Sequence, residues 1–102
     1  MASRLNLQEE LCKILGSRNV YFQPPELIKL KYPCIVYSLS GVSKRNANDA
    51  MYTGINQYQV VTIELDPDGD LSSKLLAHFP MCSLDRPYTS NNLNHKSHNL
   101  YY

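Results

Sequence analysis

Gln57-Tyr58-Gln59-Val60-Val61-Thr62-Ile63-Glu64-Leu65, running straight into Asp66-Pro67-Asp68-Gly69-Asp70, is the stretch from which the fold is read. Val61, Ile63 and Leu65 face one way, and Tyr58, Val60 and Thr62 the other, which is the period-two alternation of a strand. Asp66 to Asp70 is a turn. Asp70 then stands as the cap of a short helix through Phe79, with Leu71, Leu75, Leu76 and Phe79 inward, and Pro80 stops it.

Upstream, Leu7, Leu11, Ile14 and Leu15 recur at helical spacing and predict a helix over residues 4–16. Asn6 and Glu9 fit a capping box, Gly16 suits the stop, and Gln8, Glu9 and Lys13 form a solvated side. Val20 to Gln23 alternates as a short strand that Pro24-Pro25 ends. Pro33 opens a second strand, Cys34 to Leu39, with Ile35, Tyr37 and Leu39 on one face. Gly41 to Asn56 has no apolar period and reads as a long polar hairpin connection, a length often tied to function.

Downstream, Met81 to Arg86 is a fourth strand and Leu93 to Tyr102 a fifth. The fifth is polar on both sides, with His95, Ser97 and Asn99 on one and Asn94, Lys96 and His98 on the other. Such a strand is expected at a sheet edge, or under a partner that satisfies its polar groups. The element order is α-β-β-β-α-β-β. It predicts an α+β class: a mostly antiparallel sheet of four to five strands, paired second to third and fourth to fifth, with two helices packed on one face. At 102 residues the chain is expected to be one domain, 1–102.

Charge and composition narrow the function. A formal net charge of +1 lacks the basic excess of a dedicated nucleic-acid binder. Eight tyrosines against two phenylalanines and no tryptophan suit half-buried sheet positions and equally suit wet interfaces. Cys12, Cys34 and Cys82 are odd in number and lack metal spacing, which predicts reduced thiols and a cytoplasmic site of synthesis. The N-terminus has no signal-peptide pattern, and no apolar run approaches the ~20 residues of a membrane span.

Asp66, Asp68 and Asp70 resemble a calcium loop, but Gly69 falls fourth and Ala77 stands where the bidentate Glu belongs. A turn with a helix cap accounts for the same residues. His95 and His98 are three apart, so a strand sends them to opposite faces. There is no nucleophile elbow or glycine-rich phosphate loop, and an Asp85–His95 pairing lacks a nucleophile. No catalytic residue, cofactor or metal is expected, and the chain is not expected to be an enzyme.

The last stretch, Cys82-Ser83-Leu84-Asp85-Arg86-Pro87-Tyr88-Thr89-Ser90-Asn91-Asn92-Leu93-Asn94-His95, closing on Leu100-Tyr101-Tyr102, resembles the C-terminal signature of the tail completion, or tail-to-head joining, proteins of long-tailed phages. "NVYFQPP" (Asn19 to Pro25), "YPCIVY" (Tyr32 to Tyr37), "AND..Y" (Ala47 to Tyr52), "Y.V..I..DPD.D" (Tyr58 to Asp70) and "KLL" (Lys74 to Leu76) follow the family in order. The resemblance implies a virion protein, made in the host cytoplasm. Its copies would form a hexameric homo-oligomer ring that ends tail-tube growth. Its partners would be the tail tube protein and the head connector or neck protein, with DNA passing through the lumen and no membrane. The residues expected at interfaces are Lys44, Arg45, Asn48, Asp49, Tyr52, Arg86, His95, Tyr101 and Tyr102. Asp85, Arg86, Asn92, Asn94 and His95 are further expected to organise the final hairpin, with Arg86 reaching Asp49 or a carboxylate of a neighbouring subunit. The competing reading is a small monomeric adaptor or inhibitor that binds one partner through an exposed edge strand.

Overall fold

A computed structural model describes residues 4–24, 29–43, 55–66 and 68–102. They form α1 (Arg4–Leu15), β1 (Val20–Phe22), β2 (Cys34–Ser43), β3 (Ile55–Glu64), α2 (Leu71–His78), β4 (Cys82–Ser90) and β5 (Leu93–Tyr101). The fold is α+β, with strand order β1-β2-β3-β5-β4; β1 runs parallel to β2 and every other neighbouring pair is antiparallel.

Both helices lie on one face of the sheet. Leu7 and Leu11 of α1 and Leu71, Leu75 and Phe79 from α2 and its end bury against Val20, Ile35, Tyr37, Tyr58, Val60 and Leu100. Burying a large aliphatic or aromatic side chain stabilises by about 1.5–3 kcal/mol, so this layer is what makes the sheet fold. Leu39 shares the face by register but lies beyond the helices and is exposed.

The helix ends differ from the sequence expectation. The backbone is already helical at Arg4, which places Asn6 inside the first turn instead of at a cap. Gly16 stops α1 in the left-handed region (φ 81°), its N–H on the Cys12 carbonyl at 2.8 Å. Gln8 is not on a solvated side. Its amide accepts from the Tyr37 hydroxyl at 2.5 Å and donates to the Val20 carbonyl at 3.0 Å. Arg4 adds a 3.3 Å bond to the same hydroxyl and lays its guanidinium 4.3 Å from the Phe22 ring centre. The Asp66 turn forms as expected, with its side chain accepting from the Asp68 N–H at 2.9 Å. Asp70 does occupy the cap position of α2, but its side chain makes no cap bond and pairs with Lys74 at 3.6 Å. Glu64, at the end of β3, takes the Leu71 N–H instead.

The hairpins are longer than expected. β2 and β3 stay paired out to Ser43 and Ile55 across a bulge, where the Ser40 hydroxyl bonds the Gln57 carbonyl at 3.0 Å. Only residues 44–54 of the expected loop then remain, and they lie outside the described residues. β4 runs on through Pro87 to Ser90, because Asn91 and Asn92 (φ 53° and 62°) turn the chain in two residues.

The largest correction concerns β5. It is not an edge strand: it lies between β3 and β4, and β4 is the edge. Its polar side chains are tolerated because they are satisfied inside the chain. Wholly buried His98 donates from Nδ1 to the Val60 carbonyl at 3.0 Å, so the neutral ring presents the Nε2 lone pair to the Ser72 hydroxyl at 2.7 Å. On the other face buried Ser97 receives the Gln59 amide at 3.0 Å. Thr62, also buried, is the one such group without a bond among the described residues.

Burial holds the His98 pKa below its ordinary value of 6.5, and the charge on Lys96 acts in the same direction. The unfolded chain therefore binds the proton first. The stabilisation is complete above about pH 6.5 and is lost as pH falls below it. Chemical unfolding across that range is expected to show this slope, and His98→Gln is expected to flatten it. Ser72→Ala, which leaves Nε2 buried and unpaired, is expected to lower stability by about 1–3 kcal/mol at pH 7.5.

Candidate interaction surface

Of the residues expected at interfaces, Lys44, Arg45, Asn48, Asp49 and Tyr52 lie outside the described residues. The other four do not form one cluster. In β4 and β5, Arg86 pairs with Ser97 and Tyr88 with His95; Ser97 and His95 in turn face Val61 and Ile63 of β3. Register therefore puts Arg86, Tyr88 and His95 on the face away from the helices. Tyr101 shares that face but is six residues further along β5, about 20 Å away at ~3.3 Å per residue. Tyr102 turns to the helix side.

Arg86, Tyr88 and His95 form a stack. The Tyr88 and His95 rings lie 4.8 Å apart at 17°, and the Arg86 guanidinium sits 5.6 Å from the Tyr88 ring centre. His95 is fixed from below by an Nδ1 bond to the Leu93 carbonyl at 3.1 Å. Asn94, facing the other way, donates to the Leu65 carbonyl at 3.3 Å. Asn92, Asn94 and His95 thus shape the hairpin locally. Asp85 is the extra residue of a bulge between Leu84 and Arg86, and it does not pair with its neighbour. No carboxylate of the described residues lies within 4.0 Å of Arg86. A fourth strand that ends at Arg86 leaves Tyr88 out; carrying the alternation past Pro87 puts Arg86, Tyr88 and Ser90 on one side.

The edge itself is blunted. In a two-residue hairpin the residues flanking the turn, Ser90 and Leu93, exchange backbone hydrogen bonds, and pairs alternate from there. Pro87 then falls at a position whose backbone groups point outward, so the edge lacks a donor there, and the Asp85 bulge interrupts it again. At the opposite edge Gln8 of α1 already occupies the Val20 carbonyl. A shallow hollow of about 300 Å³ lies beside the hairpin, between Pro87, Tyr88 and Thr89 on β4 and Asn94, His95 and Lys96 on β5.

At the other end, the Tyr102 hydroxyl donates to Glu10 at 2.6 Å, and Glu10 also meets His78 at 3.3 Å. This bond to Glu10 pushes the Tyr102 pKa up to about 12 and pulls that of Glu10 down. The last residue thereby ties β5 to both helices, its ring edge-on to Phe79 at 5.9 Å. The sequence carries no periodic signal for this contact, since residues 10 and 102 stand at opposite ends of the chain.

Among the described residues, the one Ser–His pair at bonding distance, Ser72–His98, is sealed in the core and no substrate reaches it. Cys34 and Cys82 are pushed up to about 11 by burial, so as thiols they are poor nucleophiles. Cys12, Cys34 and Cys82 are unpaired. Among the described residues, no group of three or more His, Cys, Asp or Glu could hold a metal, and no helix is long and apolar enough to cross a membrane. No family model, no curated protein and no solved structure matches this chain.

Arg86 and Tyr88 are exposed. Arg86→Ala is expected to change stability by no more than about 0.5 kcal/mol. His95→Ala, which removes the bond to Leu93, is expected to cost about 0.5–1.5 kcal/mol. Thermal melts of the two variants check both.

Proposed function

We propose that the chain is a structural subunit of a phage tail, one of six copies in a ring at the head-proximal end of the tail tube that ends tube growth and joins the tail to the head connector. The observation that carries this reading is the ordered series of matching segments, which runs from Asn19 to Tyr102 and includes "LYY" at the close. The fold gives these segments physical sense. Leu100 is a core residue, Tyr102 fastens the strand to the helices, and Arg86, Tyr88 and His95 stand together on the far face. A ring subunit needs two dissimilar lateral surfaces rather than an active site, because a head-to-tail contact joins unlike patches. A helix layer on one side and, on the other, a sheet face of mixed polar and aliphatic residues with Arg86 and Tyr88 exposed are compatible with that need. The adaptor reading by strand addition is less favoured, since Pro87 and the bulge break the row of outward backbone groups on β4.

Tail tubes assembled with and without the purified chain, viewed by electron microscopy, test the proposal. Tubes of fixed length with a ring at one end are expected with it, and tubes of unregulated length without it. Unchanged tubes in both preparations sink the reading. The free chain is expected to sediment as a monomer at micromolar concentration, because the polar segments that the sequence places at its surface carry no broad apolar run of the kind an obligate interface uses.

A further inference from the structure

We propose that the sheet face opposite the helices docks against the Asp66–Asp70 turn of a second copy of this chain. Charge is segregated in this fold. Glu9 and Glu10 belong to α1, Glu64 ends β3 on the helix side of the sheet, and Asp66, Asp68 and Asp70 belong to the turn that leads into α2. Of the described carboxylates only Asp85, on the edge bulge, lies elsewhere. The strand residues that register places on the opposite face include none. They are neutral amides and hydroxyls such as Gln59, Ser97 and Asn99 and the aliphatic Val36, Val61 and Ile63, together with tyrosines, His95 and one fixed cation, Arg86. Scarce Lys, Asp and Glu with Tyr and Arg present is the composition of the buried part of a protein interface.

Among the described residues, each end of the contact has a charge with no opposite charge beside it. Arg86 has no carboxylate within 4.0 Å among the described residues. Asp70 is paired with Lys74 and Asp66 holds the turn, whereas exposed Asp68 spends only its backbone N–H on that turn. The turn follows Glu64, which pairs with Asn94 next to His95, so turn and stack share one end of the molecule on opposite sides of the sheet. A copy displaced across the sheet brings its turn to the stack of the first. A nucleic acid fits less well, because a phosphate backbone is held by several cations and this face offers one fixed charge. The contact joins unlike surfaces, so it propagates. Its closure into a ring rests on the reading proposed above, but the contact itself does not.

Charge exchange tests it. Sedimentation of the wild type from about 10 μM to about 1 mM at low salt is expected to show reversible association at the upper end, weak enough to leave monomer at the lower. Arg86→Glu and Asp68→Lys, both at exposed positions, are each expected to weaken association by about tenfold or more. An equimolar mixture of the two is expected to recover it, because each variant then meets its opposite charge in the other. A wild type that stays monomeric throughout, an Asp68→Lys variant that associates like wild type, or a mixture that does not recover overturns the proposal. So does Arg86-dependent retention of a double-stranded DNA probe by a chain that does not self-associate. Recovery in the mixture together with unchanged tail tubes would keep this contact and reject the tail reading; capped tubes without recovery would do the reverse.

Discussion

A neutral imidazole with no access to water holds this fold together. His98 sits in the middle of β5, and its two ring nitrogens reach β3 on one side and α2 on the other. A buried ring with one nitrogen unpaired would cost about as much as a good core contact supplies, so both bonds have to form together. Sheet and helix layer are therefore specified by the same side chain. Val60 supplies a carbonyl at that point in the ladder, and Ser72 lies on the inward face of α2 beside Leu71 and Leu75.

A second polar group repeats the logic at the first helix. The Tyr37 hydroxyl lies among buried apolar side chains, yet it is shared by Gln8 and Arg4 of α1. Gln8 passes the connection to the β1 backbone. Each helix is thus joined to the sheet by one bridging hydrogen-bond set in addition to its apolar stripe. Oil-like contacts bring the layers together without direction; these bonds fix how far each helix slides along the strands.

Much of this was legible in the chain. The alternation at Tyr58 to Glu64 and the spacing of Leu7, Leu11, Leu71 and Leu75 place the elements in their observed order and put both helices on one face. What alternation could not tell was the position of β5. A run such as Asn-His-Lys-Ser-His-Asn looks like solvent-facing strand, and only a partner 26 residues away in sequence, Ser72, makes His98 an interior residue. The β4 boundary failed for a related reason. Proline is normally read as a terminator, but on an outer strand its missing N–H has no neighbour to serve. Of the candidate interface residues, Arg86 and His95 are brought together by Tyr88, while Tyr101 and Tyr102 stand at the far end of the strand. Side-chain pairs that form only after folding, such as Glu10 with Tyr102, leave no trace in local pattern.

The treatment of the two outer strands bears on how the chain behaves when crowded. Bare strand edges are the usual seeds of fibrils, since each added molecule extends the same backbone ladder and offers a fresh edge. Here one border has a proline and a bulge, and the other is reached by a glutamine from the first helix. Neither offers an unbroken row of donors and acceptors. Molecules packed closely together are thereby steered away from runaway cross-β growth. Meeting through side chains, with a contact of finite extent, is what this architecture leaves open to them.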